Sequence, residues 1–195
     1  KLKSYEQPSI QLEQYPTPSS IAADWIWTMA MRSEVAGRII LDAACGPGIL
    51  GIGLLLLGAK RVFFIDKDVA IMASCQENYQ KIKGEYDVGE AIFITQDISL
   101  FDEPVDIVVQ NPPFGTKEAH ADKKFLEKAF SLALVVYSMH KFSTKKFVEA
   151  ICNDFHFQIT HVWRYEFPIK AAFSFHEKPV KKIDVGLWRM QKESR

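Results

Sequence analysis

Only three cysteines occur in the 195 residues, Cys45, Cys75 and Cys152, too few and too scattered for a disulfide framework or a cysteine-rich zinc site. A reduced, cytoplasmic setting is the expectation. Charge of one sign is also missing: Lys+Arg 24 balances Asp+Glu 24, for a formal net charge of +0. That excludes a polycation coating nucleic acid by bulk charge, while leaving room for a local basic patch. Long apolar runs are absent too. The longest, residues 49–57 (ILGIGLLLL), holds nine residues, far short of the roughly 20 that span a bilayer. The opening KLKSYEQPSIQLEQYPTPSS lacks the apolar core of a signal peptide, and no repeat or low-complexity tract appears. What remains is a composition of 48% hydrophobic and 25% charged residues, enough for one globular core.

The first sixteen residues read as an irregular lead-in, contributing to a ligand site of a single domain over 17–195. Thr17 and Pro18 suggest a cap and a first-turn proline for a helix, SIAADWIWTMAMRSE. Short apolar runs bounded by turn residues then alternate with helical stretches. The strand candidates are RIILDAA, RVFFID, AIFITQD, VDIVVQN and LVVYSMH, with only a short connection, ISLFDEP, after the third. Continuously apolar strands alternating with helices pair in parallel, with both sheet faces covered. FQITHVWRYEFP and KKIDVGLWRM alternate polar and apolar instead, which predicts an antiparallel pair at the sheet edge. The fold expected is a single doubly wound, mostly parallel seven-stranded α/β sheet, Rossmann-like, with an antiparallel C-terminal hairpin.

Between the first strand and its helix lies Cys45-Gly46-Pro47-Gly48-Ile49-Leu50-Gly51. Glycines there let the backbone turn tightly and approach a ligand. Asp66 ends the next strand, twenty residues after Gly46, where a carboxylate can accept both hydroxyls of a ribose. Asp97 follows the third strand candidate and could meet an adenine amino group; the alternative is that it caps a turn. Gly46-x-Gly48-x-x-Gly51 also matches a dinucleotide fingerprint, so the glycines do not choose between NAD and another nucleoside cofactor. Asp42 shifts the balance. A carboxylate beside the turn can pair with the ammonium of S-adenosylmethionine, whereas it would repel a pyrophosphate.

Asn111-Pro112-Pro113-Phe114 follows the strand VDIVVQ. Ligands of open α/β sheets bind outside the carboxyl ends of the strands, so this tetrapeptide should face the cofactor. The Asn111 side-chain oxygen and the Pro112 carbonyl can both accept from one planar NH₂ group, and Phe114 can stack a base. An exocyclic amine conjugated to a purine is a poor nucleophile. Two acceptors on its hydrogens favour the pyramidal form and stabilise charge developing on nitrogen.

DAACGPG, FFID, TQDI and NPPF occur in the order and spacing of class I S-adenosylmethionine-dependent methyltransferases of the amino-group type. More narrowly, LEQYPT (residues 12–17), NPPFGTK (111–117), YSMHK (137–141) and FSFHEKPVKKIDVGLW (173–188) resemble the archaeal and eukaryotic small-subunit rRNA adenine-N6 methyltransferases. The resemblance implies that Gln14 and Thr17 close over S-adenosylmethionine and that Asp42, Gly46, Pro47 and Gly48 line its methionine part. It further implies that Asp66 holds the ribose, that Asp97 and Ile98 hold the adenine, and that Asn111, Pro112, Pro113 and Phe114 take the target base. One departure stands out: the family usually has Asp-Leu-Gly-Cys-Gly, and here Ala43-Ala44 stand in for Leu-Gly, leaving Ala44 a backbone contact. A small zinc-binding activator protein is the partner the resemblance implies, besides RNA.

Lys117, Lys123, Lys124, Lys141, Lys145, Lys146, His176, Lys178, Lys181 and Lys182 could form a basic rim for RNA phosphates. Phe173 and Phe175 could stack bases or pack a hairpin. His140 and His161 lack metal-ligand spacing and read as structural, and Cys45 as a packing residue. The rival functions are a protein glutamine-amide methyltransferase, an NAD-dependent oxidoreductase and a non-catalytic RNA-binding scaffold.

Overall fold

Short β-branched and aromatic runs form strands here because helices cover them on both sides. The computed structural model describes Leu2, Ser4 and residues 15–114, 121–169 and 181–193. In chain order these are α1 (Ser19–Met31), β1 (Ile39–Ala43), α2 (Ile49–Leu56), β2 (Arg61–Asp66), α3 (Val69–Lys83), β3 (Glu90–Thr95), β4 (Ile107–Gln110), α4 (Ala121–Leu132), β5 (Val135–Lys141), α5 (Lys145–Asp154), β6 (Phe157–Ile169) and β7 (Lys181–Lys192). The seven strands form one sheet in the order β3-β2-β1-β4-β5-β7-β6. The first five pair in parallel; β7 runs antiparallel to both β5 and β6.

Alternate strand residues feed two cores. On one face Ile40, Val62, Phe64, Val109 and Leu187 pack with Trp25 and Met29 of α1, Leu54 of α2 and Cys75 of α3. On the other, Leu41, Phe63, Val108, Val136 and Trp188 pack with Leu126 and Phe130 of α4 and Ile151 of α5. The expected doubly wound α/β fold is therefore present.

Both boundaries of α1 differ from the expectation, each for a local reason. Thr17 does not cap α1: Pro18 is the N-cap residue without a side-chain bond, and the Thr17 hydroxyl is engaged elsewhere. Nor does α1 run to Glu34, because Ser33 takes φ 58° and turns the chain inward. The C-terminal pair is antiparallel and lies at the sheet edge, as expected. β7 lies inside the sheet and only β6 is the edge, which is where Pro168 can sit without breaking a ladder on both sides.

Beyond the end of β5, where Lys141 faces Val185, β6 and β7 continue through Glu166↔Asp184, Phe167↔Ile183, Pro168↔Lys182 and Ile169↔Lys181. At about 3.3 Å per residue, this ribbon rises about 13 Å past the carboxyl end of β5. Phe167 is carried on it.

The turn after α1 is pinned to the sheet by a charge pair. Arg189 of β7 is only 4% exposed. Its guanidinium donates to Glu34, through Nε at 3.1 Å and through Nη2, and to Thr160 Oγ1 at 2.7 Å. The Tyr137 hydroxyl donates to the same carboxylate. Burial pushes Glu34 upward, but the Arg189 and Tyr137 hydrogen bonds and the Arg189 charge outweigh it and hold the carboxyl below its usual value. A lowered carboxylate pKa gives stability that is present above the ordinary value and lost as pH falls. Arg189→Ala removes the main charge partner of Glu34, leaving it the Tyr137 hydroxyl and Arg32 at 3.6 Å, and is expected to cost about 3–5 kcal/mol in urea denaturation at pH 7. The gap between variant and wild type should narrow as the pH approaches 4.

Candidate functional site

The sheet order places β1 beside both β2 and β4, so strand connections leave β1 and β4 in opposite directions and open a crevice at their carboxyl ends. Ala43 pairs with Gln110, which puts the next residue of each strand, Ala44 and Asn111, side by side at that crevice.

The loop leaving β1 is built on left-handed backbone: φ is 56° at Ala44, 55° at Gly46 and 86° at Gly48. Gly48 also admits no side chain, since a Cβ there would lie 2.5 Å from Cys75 Sγ. Ala44 thus adopts the conformation that the usual glycine would take, at a cost of about 1–2 kcal/mol. Neighbouring groups hold the turn. Gly46 N donates to Asp66 Oδ2 at 3.0 Å, and Cys45 N to the Ile65 carbonyl at 3.0 Å. Asn78 Nδ2, fully buried on α3, donates to the Pro47 carbonyl at 3.0 Å. Gly51 N donates to Asp42 Oδ2 at 2.8 Å, a contact that needs glycine because a Cβ would come within 2.3 Å of the Phe64 ring.

These contacts set the electrostatics. Asp42 is 1% exposed, and burial, assisted by the charge of Asp66 and opposed by the Gly51 bond, pushes its carboxyl up to about 7. Burial raises Asp66 as well, although Asp68 N and Gly46 N donate to it. Cys45 is raised far above a reactive thiol by burial and the neighbouring Cys75, as expected of a packing residue.

A cleft lies against this loop, lined by Tyr15, Thr17, Asp42, Ala44, Cys45, Pro47, Ile49, Leu50 and Asn111. Asn111 Nδ2 donates to Thr17 Oγ1 at 2.9 Å, so the amide is oriented. Its Oδ1 is buried and has no hydrogen-bond partner. An unpaired buried acceptor costs about 1–3 kcal/mol, and an amine donor entering the cleft would recover it. Phe114 is 7% exposed: Tyr15 lies nearly parallel over it, centroids 6.3 Å apart at 18°, and Phe167 meets it edge-on at 6.0 Å. Its expected free aromatic face is thus covered.

Of the residues singled out by sequence, Thr17, Asp42, Ala44, Pro47 and Asn111 converge on the cleft, and Asp66 and Gly46 meet each other directly. Pro112 is buried and Pro113 half-buried beside them. Asp97 is exposed and caps the turn at 98–100, accepting from Ser99 N at 2.9 Å, while Ile98 is buried. Gln14, Lys117, Phe173, Phe175, His176 and Lys178 lie outside the described residues, as does the Lys181 side chain. In the basic rim, Lys123 pairs with Glu127, Lys145 with Glu149 and Lys182 with Glu166, all at exposed positions where such pairs hold little energy. His140 is buried and pushed down to about 3 by burial, accordingly neutral, and His161 stacks on Trp163. Tyr15 and Asn78 were missed. A lone Asn on the apolar face of α3 was the only trace of the second, and the first lay inside the LEQYPT segment without being singled out.

The family model for the methyltransferase small domain matches residues 26–136. The chain belongs to the methyltransferase small domain family. This methyltransferase is 35% identical to the rRNA N(6)-adenosine-methyltransferase Mettl5 of Drosophila melanogaster, over 96% of this chain and 90% of that protein. A crystal structure of a candidate RNA methyltransferase from Pyrococcus horikoshii superposes with a TM-score of 0.89 at 36% identity, covering 98% of this chain and 93% of that one. Magnesium protoporphyrin IX methyltransferase from Synechocystis, solved with bound S-adenosylmethionine, shares the fold at 17% identity, with a TM-score of 0.70 over 90% and 79% of the two chains. Among the described residues of this methyltransferase, no helix is long and apolar enough to cross a membrane.

The raised pKa of Asp42 has a sign that can be tested. A carboxyl raised on folding gives stability that is complete below its unfolded value and lost as pH rises through the folded one. The protein without ligand is expected to lose melting temperature as the pH rises from about 4 to about 7. Asp42→Asn, which keeps an acceptor for Gly51 N, should lose less over the same range in a thermal scan.

Proposed function

We propose that the protein is an S-adenosylmethionine-dependent methyltransferase that methylates the N6 amine of an adenosine in ribosomal RNA, of the small subunit. One observation carries the reading: the oriented Asn111 amide presents a buried, unpartnered oxygen beside a cleft lined by an acidic residue and a glycine turn. Family membership supports methyl transfer, and the relatives named above support an rRNA adenosine as acceptor.

The donor set fits the cofactor. Asp42, held near neutrality by burial, would pair with an ammonium group and become fully ionised on doing so. Asp66, one strand away and already fixed by two backbone amides, would accept ribose hydroxyls with its remaining lone pairs. Thr17 would close over the cofactor; Ile98 and Asp97, at the end of β3, would flank its adenine. S-adenosylmethionine supplies a methyl group on a positively charged sulfur, an electrophile that needs no further activation.

Asn111 Oδ1 and the Pro112 carbonyl would each accept one hydrogen of the target NH₂. The nitrogen lone pair is then freed from conjugation and directed at the methyl carbon. As the N–C bond forms and the C–S bond breaks, the two acceptors stabilise the charge on nitrogen, and one of the amine protons leaves to solvent. Positioning supplies the rest of the rate. The zinc-binding activator implied by the resemblance belongs to this proposal as well. β3 offers it an open edge, and its Ile92, Phe93 and Ile94 are only partly buried against the two cores.

The test is incubation with radiolabelled S-adenosylmethionine and unmodified ribosomal RNA, followed by digestion to nucleosides. Label is expected in N6-methyladenosine. With Asn111→Ala, label should fall by about 100-fold or more while cofactor affinity stays within about threefold, as for loss of one transition-state hydrogen-bonding group. Label confined to a protein amide, or none in RNA, overturns the reading.

A further inference from the structure

The Tyr15 ring, on the cleft lining, lies within 18° of parallel to Phe114, and Tyr15 belongs to a segment, residues 15–18, that is neither helix nor strand. Phe114 is fixed from the other direction. Phe167, borne on the projecting β6–β7 ribbon, meets it edge-on at 86°. Two residues beyond Tyr15, Thr17 Oγ1 accepts from Asn111 Nδ2. The same short segment thereby touches both ends of the tetrapeptide at 111–114.

Resting on the adenosine reading above, we propose that Tyr15 is a second stacking face for the target base, closing an aromatic slot opposite Phe114. The rings are within 18° of parallel and their centroids are 6.3 Å apart. A planar base between them needs ring planes about 7 Å apart, two contacts of about 3.5 Å each. Contacting rings lie about 3.5 Å apart in plane, so Tyr15 admits a base by moving outward through about one further ring thickness, roughly 3.5 Å. A base admitted there has its exocyclic amine beside the unpartnered Asn111 Oδ1, which recovers its hydrogen bond. In the absence of RNA the two rings pair with each other, and Phe114 is only 7% exposed. The slot selects for a planar acceptor. A purine gains two stacking contacts, whereas a side-chain amide is too small to fill both.

The test measures kcat and KM for unmodified ribosomal RNA, and the dissociation constant for S-adenosylmethionine by calorimetry, in wild type and four variants. Tyr15→Ala, and Tyr15→Leu which keeps apolar bulk without a ring, should each lower kcat/KM for RNA by roughly 5- to 100-fold, the range for loss of one base–aromatic stack. Their cofactor affinity should stay within about threefold of wild type. Tyr15→Phe should restore kcat/KM to within about threefold, because the ring and not the hydroxyl makes the slot. Asn111→Ala in the same assay separates the two readings. Wild-type and Tyr15→Ala activity that are equal, while Asn111→Ala is inactive, overturns the slot and leaves the methyltransferase reading standing. A Tyr15→Ala protein faster than wild type makes the ring a plug and overturns the slot, as does a parallel loss of cofactor affinity. No label in RNA with wild type overturns both.

Discussion

Asn111 faces the glycine turn because β4 pairs with β1 in the register Ala43↔Gln110, at the one place where the parallel sheet reverses its winding. A slip of one residue would turn Val108 and Val109 to opposite faces and move the tetrapeptide off the crevice. That register is fixed by burial on both sides of the sheet, where Val108 and Val109 feed different cores. The crevice is then a consequence of hydrophobic packing far larger than the site itself. The amide, the turn and the two carboxylates need only be attached at strand ends to be brought together.

On that scaffold the site carries its own tension. Ala44 is held left-handed, Asp42 is held close to half-protonated, and the Asn111 oxygen is held without a partner. Each is unfavourable in the free protein, and each lies within the cleft or its rim. Costs gathered at one place and relieved by a cationic, hydrogen-bond-donating ligand are what a binding site looks like thermodynamically. The surroundings are correspondingly overdetermined: Asp66, Asn78, Gly51 and Ile65 all grip the turn through backbone contacts.

Most of the sheet was legible from the chain because buried parallel strands announce themselves as apolar runs between turn residues. RIILDAA, RVFFID and VDIVVQN became β1, β2 and β4 with shifts of one or two residues at their ends. The glycine turn and the tetrapeptide were legible for a related reason, since glycine and proline restrict backbone in ways few other settings require. Side-chain partnerships across long sequence separations were not. Thr17 looked like a helix cap, and its hydroxyl instead meets Asn111, 94 residues away. Arg189 and Glu34, 155 residues apart, carry no local pattern that marks them as a pair. Tyr15 fell at the end of an irregular lead-in, and nothing in its neighbourhood points to Phe114. Local patterns encode periodicity and turn chemistry, whereas these contacts depend on which strands become neighbours.

The insertion of β7 between β5 and β6 has a temporal side. β6 is made first, yet its sole neighbour in the sheet is β7. During synthesis β6 emerges with nothing to pair with, and β5 presents an open edge until β7 arrives to join both. The parallel part of the sheet can condense around its helices in the meantime, but Arg189 has not yet reached Glu34, nor has Phe167 its brace from Ile183. Completion is therefore a late, long-range event, and until it occurs both β5 and β6 lack the neighbour they share. Such an interval is when a translating ribosome or a chaperone would have most to shield, and the cleft is finished only as it closes.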